Sequence, residues 1–353
     1  MKKVDFTKLT KENILSLQAY EAKEIPCRVK LDANESPYSP VADKNIPLKK
    51  KIFSILNRYP DPEARELKKT VAGYFKISPD NLLFGNGSDE LIYYLIVTFG
   101  GPVLYPIPTF SMYGIISSAL GEMNIAVPLN ESFDIDTGKM LAAVREYNPK
   151  LVFLSSPNNP TGNCFSYDGI IKIIEASNGI VVVDEAYLPF SKRKSFIPLL
   201  KDYKNLAILR TFSKIGLAAL RAGFLIGDRD LIKEVNKVRL PYNLNALSQI
   251  IASDVLKDKR VIQSNIKSIV SERKKLFREL SNINGVKPYE SEANFILFRV
   301  DNADIVFSKL LKLGVLVRNM NGVIKDALRV TIGTPEENNS FIKALQKAIR
   351  RHQ

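Results

Sequence analysis

From residue 64 onward the chain switches repeatedly between two hydrophobic periods. Positions 64–75 carry apolar residues at helical spacing, and 82–84 form a short continuous apolar run. Ser88–Phe99 returns to helical spacing, with Asp89 and Glu90 in its first turn. Unbroken apolar runs recur at 102–105, Leu151–Ser155, 180–183 and 206–209, with helical segments between several of them. The run Ile180-Val181-Val182-Val183 shows no alternation, as expected of a strand buried on both faces of a parallel sheet. Strands alternating with helices imply βαβ units, and so an α/β core whose central sheet is mostly parallel and flanked by helices.

After Arg229 the texture changes. Helical periodicity covers 230–239 and most of 246–280. Shorter strands follow at Phe295–Val300, 315–318 and 328–332, before a last helix over 336–350. The pattern predicts a large domain over residues 46–240 and a smaller α+β domain over 241–353. Residues 1–45 carry the turn signals Glu35-Ser36-Pro37 and Ser39-Pro40, and are expected to pack with the smaller domain.

Composition narrows the chemistry. The chain has 353 residues, 45% hydrophobic and 25% charged, as in an ordinary soluble globular protein. Its formal net charge is +14, but the densest basic runs, at 49–51 and 192–194, are short and have no aromatic ladder. They read as a solvated basic surface, with no nucleic-acid partner. The one histidine, His352, stands in the tail, so a histidine-based triad, metal site or proton shuttle has no source. Cys27 and Cys164 are far apart and form no Cys-x-x-Cys pair, which leaves structural zinc and a disulfide framework unsupported; no metal is expected. The N-terminus has no apolar signal core, and the apolar run 91–99 is too short to span a bilayer. A cytoplasmic protein with no membrane partner is expected, working through Lys, Asp, Tyr, Arg, Ser or a bound cofactor.

Parallel α/β sheets place ligands beyond the carboxyl ends of their strands. After 82–84 comes Gly85-Asn86-Gly87-Ser88-Asp89-Glu90, a glycine-bearing turn opening a helix, suited to cradle an anion. Beyond Leu151–Ser155 lies Ser156-Pro157-Asn158-Asn159-Pro160-Thr161-Gly162, a stiff loop able to hold an amide at a strand tip. The 180–183 run ends in Asp184-Glu185-Ala186-Tyr187. This could be the magnesium strand of a P-loop ATPase, but no Gly-x-x-x-x-Gly-Lys-Ser/Thr loop exists. The 206–209 run leads into Arg210-Thr211-Phe212-Ser213-Lys214 and on to Arg221. An anion cradle, a fixed amide, a carboxylate with a tyrosine three residues on, and a lysine followed by an arginine are together the parts that hold pyridoxal phosphate.

With Asn159-Pro160-Thr161-Gly162, Asp184-Glu185-Ala186-Tyr187 and Ser213-Lys214 with Arg221, the chain resembles the class I/II aminotransferases across nearly its whole length. The resemblance implies the aspartate aminotransferase fold, fold type I of the pyridoxal-phosphate enzymes. Finer features resemble one branch, the histidinol-phosphate aminotransferases. They are Leu31-Asp32-Ala33-Asn34-Glu35, Arg58-Tyr59-Pro60-Asp61-Pro62, Gly87-Ser88-Asp89-Glu90 and Leu328-Arg329-Val330-Thr331-Ile332-Gly333-Thr334. Three departures stand out: Asp32 replaces a usual Asn, Phe110 a common Tyr, and the Lys214-to-Arg221 gap is one residue shorter than in many relatives.

The resemblance implies a role for each position. Lys214 would attach the cofactor and move the substrate proton, Asp184 would pair with the ring nitrogen, and Asn159 and Tyr187 would bond the phenolic oxygen. Gly87, Ser88, Asp89, Thr211, Ser213 and Arg221 would hold the phosphate, and Phe110 would stack on the ring. Tyr59 resembles the tyrosine that reaches the neighbouring subunit's cofactor, implying a homodimer with shared active sites. Arg329 would bind substrate carboxylate or phosphate, with Tyr20, Asn34 and Arg318 as further pocket candidates. The implied reaction is transamination of L-histidinol phosphate with 2-oxoglutarate, giving imidazole acetol phosphate and L-glutamate in histidine biosynthesis. Phosphothreonine decarboxylation and a broader aromatic aminotransferase are the alternatives. A cofactor-sensing DNA-binding regulator on the same fold has too little chain before the core.

Overall fold

The computed structural model describes residues 10–17, 25–41 and 56–349. Seven strands build the first sheet: β2 (Leu82–Asn86), β3 (Val103–Ile107), β4 (Asn124–Pro128), β5 (Leu151–Ser155), β6 (Ile180–Asp184), β7 (Leu206–Thr211) and β8 (Ala222–Gly227). Their order is β2-β8-β7-β6-β5-β3-β4. β3 to β7 run parallel, and β8 is antiparallel to both β2 and β7. Alternate residues of each central strand enter two separate cores. Val152, Leu154, Val181, Val183 and Ile208 pack under the helices Arg65–Phe75, Thr137–Tyr147 and Tyr167–Ala176. Leu151, Phe153, Val182, Ala207 and Leu209 pack under Ser88–Phe99, Met112–Leu120 and Arg229–Asn236. Covering both faces is what makes the strand sequences apolar without alternation.

Two strands of this sheet were not foreseen. β4 lies at the sheet edge and alternates between buried and exposed positions. β8 carries Gly223 and Gly227 and follows β7 without an α-helix between them, so it lacks the usual crossover signal. The periodic stretch 246–280 is two helices, Ala246–Lys257 and Lys259–Ser281. They part at Asp258, whose carboxylate caps the second by accepting from the Arg260 N–H.

The second sheet has the order β1-β11-β12-β10-β9, formed by β1 (Val29–Leu31), β9 (Val286–Pro288), β10 (Phe295–Val300), β11 (Val315–Asn319) and β12 (Ala327–Thr331). β1 runs parallel to β11, and the other pairs are antiparallel. Helices Lys259–Ser281, Ala303–Lys312 and Pro335–Ile349 cover it. The helix Lys259–Ser281 spans both units: Ile262 belongs to the first core, while Ile269, Leu276 and Leu280 belong to the second. The N-terminal segment also touches both. Val29–Leu31 adds a strand to the second sheet, whereas Asn13 Nδ2, on Glu12–Leu15, donates to the Ser118 and Ala119 carbonyls of the first unit. Among the described residues no helix is long and apolar enough to cross a membrane.

Candidate active site

A cleft of ≈ 1610 Å³ opens where the carboxyl ends of the first sheet face the second. Asn34, Asp89, Phe110, Asn159, Tyr187, Lys214, Arg318 and Arg329 all line it, although they come from eight separated stretches of chain. Chain topology therefore does the assembling: Arg329 stands mid-strand on β12 and Asp89 in the first turn of Ser88–Phe99, and the others sit at a strand end or in the segment that follows one.

The anion cradle is built by close backbone packing. Gly87 turns the chain at φ 82 into the helix Ser88–Phe99, whose first N–H groups have no intrahelical acceptor. A Cβ on Gly87 would lie 2.6 Å from Arg221 Nη2, so glycine lets the guanidinium reach the helix start. Arg221 holds a left-handed conformation, φ 47, and pairs with Asp89 Oδ2 at 3.0 Å. Thr211, in register with Gly223, brings its hydroxyl to Ser213 Oγ at 2.9 Å; a Cβ on Gly223 would lie 2.7 Å from Ser88 N. Backbone donors, two hydroxyls and a guanidinium thus converge at one helix N-terminus, the arrangement that binds a phosphate dianion.

Asp184 ends β6 in full burial. Its Oδ2 accepts from the Tyr113 hydroxyl at 2.8 Å and its Oδ1 from the Ala186 N–H at 2.9 Å. Burial pushes its pKa up to about 6; the two hydrogen bonds work against that rise, and the Asp89 and Glu185 carboxylates add to it. Tyr187, three residues on, accepts from Asn34 Nδ2 at 3.0 Å, which leaves its own O–H free to donate towards the cleft. Lys214 stands on the short turn Ser213–Ile215 after β7, with Nζ 3.4 Å from the Ala33 carbonyl and 5.8 Å from the Tyr187 ring centre.

The second sheet supplies the facing wall. Arg329 is buried on β12, donating through Nη1 to Asn159 Oδ1 at 2.5 Å and through Nη2 to the Asp32 carbonyl at 2.8 Å. Its guanidinium lies 5.2 Å from the Phe295 ring centre. Arg318 on β11 is its register partner and is exposed at the cleft.

Residues 28–345 match the family "Aminotransferase class I and II". The chain belongs to the class I and II aminotransferases. It is 42% identical to a histidinol-phosphate aminotransferase of Caldanaerobacter subterraneus subsp. tengcongensis, over 97% of this chain and 99% of that one. It is also 42% identical to the histidinol-phosphate aminotransferase of Aquifex aeolicus, over 96% and 98%. Its fold matches the crystal structure of histidinol-phosphate aminotransferase from Sinorhizobium meliloti in complex with pyridoxal-5'-phosphate, with a TM-score of 0.86, 24% identity and 97% of each chain covered.

The cofactor of this aminotransferase is pyridoxal phosphate. The donor set fits it. The absence of a Cβ on Gly87 lets Arg221 bring its guanidinium to the helix start, where a phosphate needs a cation, and Asp184 is a buried carboxylate with no cationic partner among its hydrogen bonds. A protonated ring nitrogen would supply that missing charge.

The aminotransferase brings most of the expected residues to one place. Phe110 borders the cleft, edge-on to Tyr113 with ring centres 5.6 Å apart. Asn34 is also present, but it is buried at φ 53 and spends both side-chain ends on Tyr187 and Thr331, so it orients Tyr187. Tyr59 is 80% exposed and stacks on Tyr242 at 4.6 Å, away from the cleft of its own chain. Tyr20 lies outside the described residues.

Three further residues have structural parts that the sequence did not assign. Tyr113 was missed, although a buried phenol in an apolar helix must find a partner. Asn158 was overshadowed by Asn159. It is fully buried and ties Pro108 and Thr109, at the β3 tip, to Thr161, beyond β5. Glu185, next to Asp184, forms a buried ion pair with Arg210, at 2.5 Å, and accepts from Ser195.

Proposed function

We propose that this enzyme transfers the amino group of L-histidinol phosphate to 2-oxoglutarate, yielding imidazole acetol phosphate and L-glutamate in histidine biosynthesis. The observation that carries this reading is the pair Arg318 and Arg329, side by side on β11 and β12 and facing Lys214 across one cleft. A guanidinium fork suits phosphate and carboxylate oxygens alike, so one wall can serve a phosphorylated amine and a dicarboxylic acid in turn. The relatives that are 42% identical over nearly the full chain carry the name of this reaction.

Each residue then has a task. Pyridoxal phosphate, once bound, supplies the electron sink that makes the substrate Cα–H acidic. Lys214 Nζ is the base that takes the proton from that Cα. Asp184 holds the ring-nitrogen proton, and Asn159 and Tyr187 donate to the phenolic oxygen. The Ser88 and Asp89 N–H groups, Thr211, Ser213 and Arg221 hold the phosphate, with Gly87 giving the room. Phe110 packs on the ring face. Arg329 and Arg318 fix the substrate's anionic end, and Asn34 sets Tyr187.

The exposure of Tyr59 supports a homodimer with shared sites, in which this side chain would serve a second copy of the chain. Free Cys27 and Cys164 suit a cytoplasmic enzyme.

The test is the visible spectrum of the purified holoenzyme on adding histidinol phosphate without any keto acid. Bleaching of the cofactor band, with recovery on adding 2-oxoglutarate, is the expected result. An unchanged band, or release of carbon dioxide from phosphothreonine, would replace the substrate with another and leave the cofactor in place. Lys214→Ala should bleach at no measurable rate.

A further inference from the structure

Tyr113 opens the helix Met112–Leu120 on its buried face, together with Ile116 and Ser117. Its ring stacks on Phe153 at 4.8 Å with an interplanar angle of 9°, so its position is set by apolar packing below the cofactor site. That packing carries its hydroxyl to Asp184 Oδ2, at 2.8 Å. Asp184 has few other sources of charge stabilisation. β5 presents Ser155 beside it and β7 presents apolar Leu209. The helix Ser88–Phe99 and the residue after β6 add the like charges of Asp89 and Glu185, the latter paired with Arg210. Tyr187 is a neutral phenol, and the Ala186 N–H is the one backbone donor given to the carboxylate.

We infer that Tyr113 is a positioning residue of the reaction: its hydroxyl orients the Asp184 carboxylate and keeps it charged for the cofactor ring nitrogen. The inference rests on the role proposed above for Asp184. A hydrogen bond to the charged form favours that form, and this one opposes the burial that raises the Asp184 pKa to about 6. The phenol itself is pushed well above its ordinary value, first by burial and then by the Asp184 charge, so it stays a donor throughout the working pH range.

The experiment titrates cofactor-free native enzyme, Tyr113→Phe and Asp184→Asn with pyridoxal phosphate across about pH 5.5 to 8, and compares dissociation constants. Taking variant-to-native ratios cancels the titrations that the cofactor brings to every sample. For Tyr113→Phe the ratio should rise as pH falls, from near one to about ten, because losing a hydrogen bond to a charged group moves the carboxylate up by about one pH unit. Asp184→Asn should remove this pH dependence. A Tyr113→Phe ratio that is constant with pH overturns the inference, showing that Tyr113 only fills space, while Asp184 keeps its role. If Asp184→Asn titrates like the native enzyme, the assignment of Asp184 fails, and the inference fails with it. Melting of each cofactor-free variant checks the fold. Should Tyr113→Phe not fold, site-specific 3-fluorotyrosine at position 113 keeps the ring and strengthens the donor. The limb must then move to lower pH, and no movement refutes the inference.

Discussion

Replacing Asn158 by alanine isolates one side chain that has no part in the proposed cofactor and substrate contacts but links two strand tips next to residues proposed to make them. Its Nδ2 donates to the Pro108 carbonyl at 2.9 Å and to Thr161 Oγ1 at 2.8 Å, and its Oδ1 accepts from Thr109 Oγ1 at 2.7 Å. At about 1 kcal/mol net for each bond, the substitution costs about 3 kcal/mol, and more if the half-buried Pro108 carbonyl finds no other donor. That is a large share of the roughly 5–15 kcal/mol by which a domain is stable. The functional effect is larger than the packing suggests, because Phe110 and Asn159 follow these tips. A misplacement of about 1 Å at reacting groups can lower turnover about a hundredfold. Steady-state kinetics should therefore show kcat falling at least tenfold with KM changed much less, alongside a lower melting temperature of the holoenzyme. An Asn158→Ala enzyme with kcat within twofold of native and unchanged melting would refute the idea that this bracket sets the site.

Three other substitutions probe the cradle, the buried carboxylate and the wall. Gly87→Ala forces a side chain into φ 82 and against Arg221 Nη2, so pyridoxal phosphate affinity should drop about tenfold or more, by equilibrium dialysis, while turnover at saturating cofactor stays near native. Asp184 in the cofactor-free enzyme has its pKa raised from 3.8 to about 6, so the folded state holds a proton that the unfolded chain releases between those values. Its contribution to stability is then fully present below about pH 4 and is lost as pH rises through about 6, amounting to about 3 kcal/mol. Asp184→Asn should flatten that part of the pH dependence of urea unfolding, and a retained slope would count against it. Arg329→Lys cannot reach Asn159 Oδ1 and the Asp32 carbonyl together, so KM for both substrates should rise about tenfold or more in initial-rate assays.

The strands buried on both faces were the most legible part of the fold, since an unbroken apolar run has few other uses; Leu151–Ser155 and Phe295–Val300 stand where the pattern puts them. β8 was not legible, because glycine at two of its six positions weakens the strand signal, and its antiparallel course needs no helix before it. The break at Asp258 hid inside a continuous helical period that only capping geometry interrupts. In the site, Asn159, Asp184, Tyr187, Lys214 and Arg221 were visible because each sits next to a strand end or turn whose pattern marks it. Arg318 and Arg329 could be located only through the resemblance, as short antiparallel strands carry a weaker signal of their own.

What stayed hidden is what acts at a distance along the chain. Tyr113 meets Asp184 across 71 residues, Thr109 meets Asn158 across 49, and Asn159 meets Arg329 across 170. Local patterning cannot report such pairs, because each partner alone reads as ordinary core or loop, and the pairing exists only once the strand order is fixed. These same bonds couple the groups that the sequence does show. Arg329, proposed above to bind the substrate's anionic end, donates to the amide oxygen of Asn159, so the second sheet must be seated for Asn159 to be aimed. The β12 wall of the cleft and the loop after β5 are thus one hydrogen-bonded assembly, and a change on β12 should be felt at the β5 tip before any ligand arrives.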